Sequence, residues 1–377
     1  MSKTLQDYAT LINDTIQSNE INHYITTDNM CQNLGGIDTF KNINIPQGKV
    51  RSFQKDDILL SNIRLYFRKV YRAKQKGGCS SDVLVFRAKH IDSATLFAIL
   101  SSQIFTDYAC SGSQGSKMPR GNKTHMMNFK IPTINFTIAK IFNSIQNKIE
   151  NNHKINELLH KILELLYEQY FVRFDFLDEN NKPYQTSGGK MKFSKELNRL
   201  IPNGWSVRFL NHKIVSTYQP KTISKTLLNN SYSYSVYGGG GIIGRFTEYN
   251  HEQSEFIISC RGQCGISYLT LPKSWITGNA MVIRPTKSYT SKTYLYHTIK
   301  KYKLTNYITG SVQPQITRQN LSTMPILIPK RKILNKWNNI SSLLWNLIHN
   351  NMQATQTLTA LRDFLLPLLL KQQVKPQ

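Results

Sequence analysis

The chain has 377 residues and carries 48 Lys and Arg against 22 Asp and Glu, giving a formal net charge of +26 and a pI near 9.8. That length allows two or three domains with ordinary cores, and that charge calls for an anionic partner or a reason to tolerate self-repulsion. No run approaches the roughly 18 apolar residues of a membrane span. The opening MSKTLQDYATLINDT also lacks the basic-then-apolar start of a secretory signal, so a cytoplasmic chain with no membrane partner is expected. The five cysteines are odd in number and scattered. Cys260 and Cys264 form a C-x3-C with no second Cys/His pair at zinc spacing, so reduced thiols and no bound metal are expected.

Taken in chain order, residues 1–133 form a first module whose apolar stretches are short and β-rich. ILLSNIRLYF (58–67) and VLVFRA (83–88) read as strands bounded by Gly, Asn and Ser, and ATLFAILSSQ (94–103) as a helix. Over 134–172 the period changes. Ile138, Ile141, Ile145, Ile149, Ile155, Leu158, Leu159, Ile162, Leu165 and Leu166 recur at three- and four-residue spacing without Gly or Pro, predicting one long amphipathic helix. Residues 173–199, with DENNKPYQTSGGKMKFSKE, read as a polar linker. A second module, 200–330, has strand signals at EFIISC (255–260) and AMVIRP (280–285) and a helical KTYLYHTIKKY (292–302). Over 331–372 a second stripe runs through Ile333, Trp337, Ile340, Leu344, Leu347, Met352, Leu358, Leu361, Leu365 and Leu369, interrupted by Pro367.

The two modules repeat one another at an offset of about 198. DILLSNIR (57–64) returns as FIISCR (256–261), SDVLVFRA (81–88) as GNAMVIRP (278–285), Gly112-Ser113 as Gly310-Ser311, Arg120 as Arg318 and Ile131-Pro132 as Ile328-Pro329. Matches held in register over half a chain mean tandem domains of one plan, not short solenoid repeats. Neither helical stripe is apolar all round, so each helix needs one partner face. Because both arise from one duplication, antiparallel pairing within the chain is preferred to a seam between two chains. Ile138, Ile145, Leu159 and Leu166 of the first and Trp337, Leu344, Leu358 and Leu365 of the second are the expected seam and subunit-interface positions.

Chemistry motifs are mostly absent. YGGGGIIGR (237–245) has no following Gly-Lys-Ser/Thr, which leaves it a flexible hairpin or DNA-facing loop. NKPY (181–184) sits in the polar linker, and no catalytic Ser/His/Asp or Cys/His set stands out among nine dispersed histidines. The positive signals are those of nucleic-acid binding. The first module is +7, and residues 203–330 hold fifteen Lys and Arg against three acidic residues, a net +12. Arg64, Arg68, Lys69, Arg72, Lys74 and Lys76 place six charges within 13 residues, interleaved with Tyr66, Phe67 and Tyr71. A solvated hairpin face is the competing account of that run. Lys117, Arg120, Arg245 and Arg261 are further basic candidates, Tyr237 is the aromatic one, and Gln313, Gln315 and Arg318 are able to read adenine or guanine edges, unless they serve only as turn and cap residues.

In the order IPNGW (201–205), YGGGGIIGRFTEYN (237–250), IISCRGQCG (257–265), GSVQPQITRQNLSTMPILIP (310–329) and LTALRDFLLPLLL (358–370), the second module resembles the specificity subunit of a type I restriction-modification system. YITTDNM (24–30), DDILLSNIR (56–64), MPRGNKTHMMNFKIP (118–132) and LLYEQYF (165–171) extend the resemblance over nearly the whole chain. The first module lacks the Ile-Pro-x-Gly-Trp opening and the Gln-Pro-Gln of the second, so contacts inferred at 310–320 do not transfer to 112–122. The resemblance implies an α+β chain with two β-rich target recognition domains joined by two long antiparallel helices that form a coiled-coil spacer. It implies a non-catalytic reader of double-stranded DNA that docks two methyltransferase (M) subunits and, in the full complex, restriction (R) subunits. This chain would hold no cofactor itself; S-adenosylmethionine, ATP and Mg would sit on the partner subunits. Two competing classes are an adenine methyltransferase with a built-in reader, for which no segment is left to form a cofactor domain, and a nonspecific nucleic-acid-binding scaffold.

Overall fold

The computed structural model describes residues 3–38, 41, 43–131, 134–229, 232–262, 264–310 and 313–370. Pro132 and Ser311 of the repeated pairs, and the end of the second helical segment after 370, lie outside the described residues. The chain forms two compact units: residues up to 155 together with those from 351 make the first, and 156–350 the second.

The first unit contains α1 (Leu5–Tyr8), β1 (Ala9–Ile12), β2 (Thr15–Gln17), β3 (Tyr24–Ile25), β4 (Lys49–Phe53), β5 (Ile58–Ser61), β6 (Val70–Arg72), β7 (Gly77–Cys79) and β8 (Val83–Ala88). These are followed by α2 (Ser93–Ser101), α3 (Gln103–Ser111), α4 (Lys123–Met127) and the first part of α5 (Phe136–Tyr167). One sheet runs β1-β8-β5-β6 and the other β2-β4-β7-β3. The unbroken apolar run of β5 makes sense because both its faces are covered. Ile58 and Leu60 meet Leu96, Phe97, Leu100 and Phe142, whereas Leu59 meets Phe53, Tyr71, Val83 and Val85 on the other side. Asp92 caps α2 by accepting the Thr95 N–H at 2.9 Å, and Ser102 caps α3 through Phe105 N–H at 3.1 Å.

In the second unit β9 (Met191–Ser194), β10 (Arg199–Pro202), β11 (Ser206–Phe209), β12 (Val215–Tyr218), β13 (Tyr234–Gly238), β14 (Gly241–Phe246), β15 (Phe256–Ser259), β16 (Ser267–Leu269), β17 (Trp275–Ile276) and β18 (Ala280–Pro285) precede α6 (Lys292–Lys300). Then come β19 (Ile308–Thr309), β20 (Gln315–Ile316), α7 (Arg318–Ser322), β21 (Pro325–Ile328) and α8 (Arg331–Leu365). The order β12-β18-β15-β16 repeats β1-β8-β5-β6, and the parallel pair β13·β17 repeats β3·β7. The segment expected as a linker is partly ordered: β9 and β10 pair, and Phe171, Phe174 and Phe176 surround Trp205 at ring separations of 6.0, 5.6 and 5.3 Å. Burial of that one indole gathers the polar stretch around it.

The duplication extends to buried electrostatics. Arg87 of β8 donates twice to Asp57, at 2.8 Å each, and Arg284 of β18 donates to Glu255 at 3.0 and 2.6 Å. Asp57 and Glu255 are buried, at 2% and 7% exposure, and each stands at or just before the first residue of the strand beside its arginine's own. Asp57→Ala would also free the Gln54 N–H that its carboxylate accepts. Because Arg87 is 35% exposed it rehydrates in part, so the expected loss is about 1–3 kcal/mol, below that of a fully buried broken pair. Urea titration of Asp57→Ala and Glu255→Ala should show lowered midpoints; unchanged midpoints in both would remove the pair from the account of stability.

The boundaries between the units fall inside α5 and α8. Within the first unit Asn152 donates to Thr355 at 3.1 Å and Arg362 to Gln146 at 3.1 Å. Within the second, Asn156 donates to the Ile348 carbonyl at 3.3 Å, and the His160–Trp345 and Tyr167–Trp337 rings lie 5.0 and 5.8 Å apart. In each unit partner numbers fall on α8 as they rise on α5, so the helices run antiparallel there. Ile138, Ile145 and Trp337 are buried; Leu159, Leu166, Leu344, Leu358 and Leu365 are half-buried. Past Leu365 the helix tightens into a short turn over Leu366–Leu370, where Pro367 lacks the N–H that a continuing helix needs. None of the described helices is long and apolar enough to cross a membrane.

Candidate nucleic-acid interface

Each unit presents the end of a matching central strand, β5 in the first and β15 in the second. In the first, β5 stops at Ser61, whose hydroxyl donates to the Ile63 carbonyl at 3.0 Å. Arg64 and Arg68 then take left-handed conformations, both at φ +50, and the chain reverses through a short turn at Leu65–Phe67 into β6. Ile63 pairs with Arg120, Arg120 with Gln114, and Arg64 N–H donates to the Pro119 carbonyl at 2.9 Å. One surface therefore gathers Arg64, Tyr66, Lys117, Met118 and Arg120, with Tyr66 53% and Met118 58% exposed. Arg120 keeps an ion pair with Asp82 at 2.8 Å, and Arg64 reaches the Lys117 carbonyl at 3.3 Å.

The run of six charges does not form one face. β5 and β6 are antiparallel, with Leu60 opposite Val70 and Ile58 opposite Arg72, so Arg64 and Arg72 belong to opposite strand ends. Arg72 pairs with Asp56 at 2.8 Å and donates to Asn143 of α5, while Lys74 pairs with Glu150 at 3.2 Å and donates to Asn147. Arg68 donates to the Ser101 carbonyl at 2.9 Å, and burial draws its pKa below the ordinary arginine value. Lys69 is likewise lowered by burial and donates to the Thr27 carbonyl at 2.5 Å. Lys76 is exposed, on the Arg72 side.

In the second unit β15 leads into Arg261, which pairs with Gln315, as Ile63 pairs with Arg120. Residues 63 and 261 are separated by the repeat offset. Ile316 N–H donates to the Cys260 carbonyl at 3.1 Å, and Cys264 Sγ donates to the Pro314 carbonyl at 3.1 Å, tying the loop down. Arg261, Gln313, Gln315 and Arg318 are all exposed. Arg318 opens α7, whose first turn is capped by Thr317 accepting the Asn320 N–H at 3.1 Å. Arg318, Gln319, His212 and Thr217 help to line an open cleft of about 490 Å³.

The β13–β14 hairpin closes on the same end. Gly238 faces Gly241, leaving Gly239-Gly240 as a two-residue loop. A Cβ on Gly239 would lie 2.8 Å from the Arg261 carbonyl oxygen, so only glycine lets the loop approach. Tyr237, expected as a contact, is instead a core residue: it is 3% exposed and its hydroxyl accepts the Leu271 N–H at 3.0 Å. Burial pushes that phenol up to about 12. Its neighbour Val236 is buried as well, so β13 is covered on both faces, while the bulge of the β13–β14 pair lies at Ile243 on β14. Arg245 is half-buried further from the tip, donating to the Tyr232 carbonyl at 3.3 Å. Tyr66, already expected among the basic run, is exposed on the first of these surfaces, and Met118, Ile242 and Ile243 are exposed members that basic and amide composition does not signal. For the two isoleucines the paired glycines of a tight hairpin were the available signal. Among the described residues no group of three His, Cys, Asp or Glu that could hold a metal ion comes together.

Residues 202–358 match the type I restriction modification DNA specificity domain. The chain is 21% identical over 311 residues to the specificity subunit of the type I restriction enzyme MjaIX of Methanocaldococcus jannaschii, covering 73% of this chain and 67% of that one. In fold it is similar to the S subunit of a type I restriction-modification system from M. genitalium, with a TM-score of 0.63 and 14% identity over 99% of this chain and 96% of that one. The HsdS subunit of Thermoanaerobacter tengcongensis aligns at a TM-score of 0.36 and 15% identity, over 99% of this chain and 97% of that one. Residues 202–358 are therefore a type I restriction modification DNA specificity domain, and over its length the chain has the fold of the M. genitalium S subunit.

Proposed function

We propose that this chain is the non-catalytic DNA reader of a type I restriction-modification complex, each unit recognising one half of a bipartite, asymmetric site. The observation that carries the reading is the duplicated strand end. In both units a bridge to a downstream loop forms at the equivalent positions 63 and 261, yet one surface displays Arg64, Lys117 and Arg120 and the other Arg261, Gln313, Gln315 and Arg318. A shared frame with unlike side chains reads unlike sequences, because arginine favours guanine edges and glutamine adenine edges. In this reading α5 and α8 form the coiled-coil spacer and dock two methyltransferase subunits. Support comes from a second apolar row left exposed in the second unit, with Leu158, Ile162 and Leu165 on α5 and Ile340, Leu343 and Leu347 on α8. Their three- and four-residue spacing offers a partner helix a continuous seam. Methyl transfer and cleavage, with S-adenosylmethionine, ATP and Mg, belong to the methyltransferase and restriction partners.

Mapping methylated bases in a host carrying the cognate methyltransferase tests the proposal. The expected motif has two unlike half-sites, with centres about one duplex turn apart and an unread gap on the order of 5–7 bp between them. A continuous motif or a perfect palindrome would count against two independent readers. No motif at all, with duplexes of any sequence bound alike, would favour a nonspecific scaffold.

A further inference from the structure

The second unit carries an apolar feature that phosphate or amide contacts do not explain. Ile242 and Ile243 stand side by side just past the Gly239-Gly240 loop, 48% and 37% exposed, within a segment of net charge +12. They are not on a slack loop. Gly239 sits against the Arg261 carbonyl, a Cβ on Gly241 (φ +94) would stand 3.3 Å from the Tyr268 ring, and a Cβ on Gly244 would stand 3.1 Å from Leu228. Ile242 is opposite Tyr237, whose own side chain is locked in the core, and Ile243 occupies the bulge where the register shifts. Two β-branched side chains with few χ1 choices are therefore held out from a seated two-stranded ribbon, beside Arg261 and Gln315.

Resting on the reading of this chain as a DNA reader, we propose that the β13–β14 ribbon enters the major groove and that Ile242 and Ile243 close on the 5-methyl group of a thymine in the second unit's half-site. The major groove is wide enough for a two-stranded ribbon, and the thymine methyl is the apolar group that base edges display there. Arg261 and Gln315 flank the ribbon with donors for the neighbouring edges and phosphates. The hairpin thus supplies a specificity determinant distinct from hydrogen-bond readout: it selects T·A over C·G by apolar contact.

The test uses the full chain and a duplex bearing its mapped site, with each thymine replaced in turn by deoxyuridine, which lacks only the methyl. Removing one buried methyl should weaken wild-type binding about fourfold at one or more positions of one half-site. Ile242→Ser/Ile243→Ser should bind the unmodified duplex more weakly and lose that fourfold penalty, while deoxyuridine effects in the other half-site stay as they were. Since both side chains are exposed, an unchanged urea midpoint is expected and separates lost contact from lost fold. A wild type that discriminates the mapped duplex from a scrambled one yet tolerates every deoxyuridine overturns the methyl contact alone, as does a double variant that keeps the penalty. A wild type that does not discriminate at all overturns the DNA-reader reading, and this inference with it.

Discussion

Trp337→Ala should lower the stability of the second unit by about 3–5 kcal/mol, the usual cost of deleting a large buried aromatic side chain. Trp337 is 1% exposed, and its indole meets Tyr167, Phe171 and His297 at ring separations of 5.8, 5.6 and 5.3 Å. Against a typical total of about 5–15 kcal/mol, that is a large share. Trp337→Phe should cost much less, because it keeps most of the ring contact and removes an indole N–H that has no acceptor among the described residues. The chain supplies its own probe, since Trp205, Trp275, Trp337 and Trp345, its four tryptophans, all lie in the second unit. A fluorescence-monitored urea titration in which Trp337→Ala matches wild type would show that this cluster does not hold α8 to its unit.

Acid should weaken the same unit before carboxylates begin to protonate. His297 is 3% exposed and burial, aided by Lys300, His160 and Lys301, holds its imidazole down to about 3. His349, with Lys292 and His160 nearby, is held to about 4, and burial also lowers His160 and His251. These folded-state values lie below the unfolded value near 6.5. The unfolded chain therefore binds more protons as pH falls through 6.5, and stability declines until the folded values are reached near 3 to 4. From pH 7 to 5 the expected loss is about 2 kcal/mol for each of His297 and His349. His297→Phe should flatten the dependence of the tryptophan-monitored midpoint on pH over that range. A wild-type midpoint that stays level between pH 7 and 5 would refute the assignment.

How much of this was legible from the residues depends on what decides each feature. Long periodicity is decided locally, so the stripes over 134–172 and 331–372 anticipate α5 and α8, and VLVFRA and AMVIRP anticipate β8 and β18 within a residue or so. ILLSNIRLYF ends as a strand at Ser61 because Arg64 and Arg68 turn left-handed, a conformation that arginine itself does not signal. The direction of a charged side chain depends on tertiary neighbours. Arg72 and Lys74 turn onto Asn143, Asn147 and Glu150 of a helix about seventy residues away, so composition alone cannot separate them from Arg64 or Lys117. Tyr237 follows the same logic: Val236 and Tyr237 are both buried, so β13 is covered on both faces and alternation alone cannot place the tyrosine at the surface.

The first unit draws on residues far apart in synthesis. Its core joins Leu96, Phe97 and Phe142 with Leu366, and Gln146 accepts from Arg362. At about 5–20 residues per second, a ribosome that has passed residue 155 needs roughly 10–40 s more to reach that leucine. Until then the early strands and α2 wait with part of their apolar surface uncovered, a window in which chaperones or proteases have access to them. Residues 156–350 meet no such delay, because every segment of that unit has been made by the time residue 350 is added. On the ribosome, the half of the protein that is translated first is the half that is finished last.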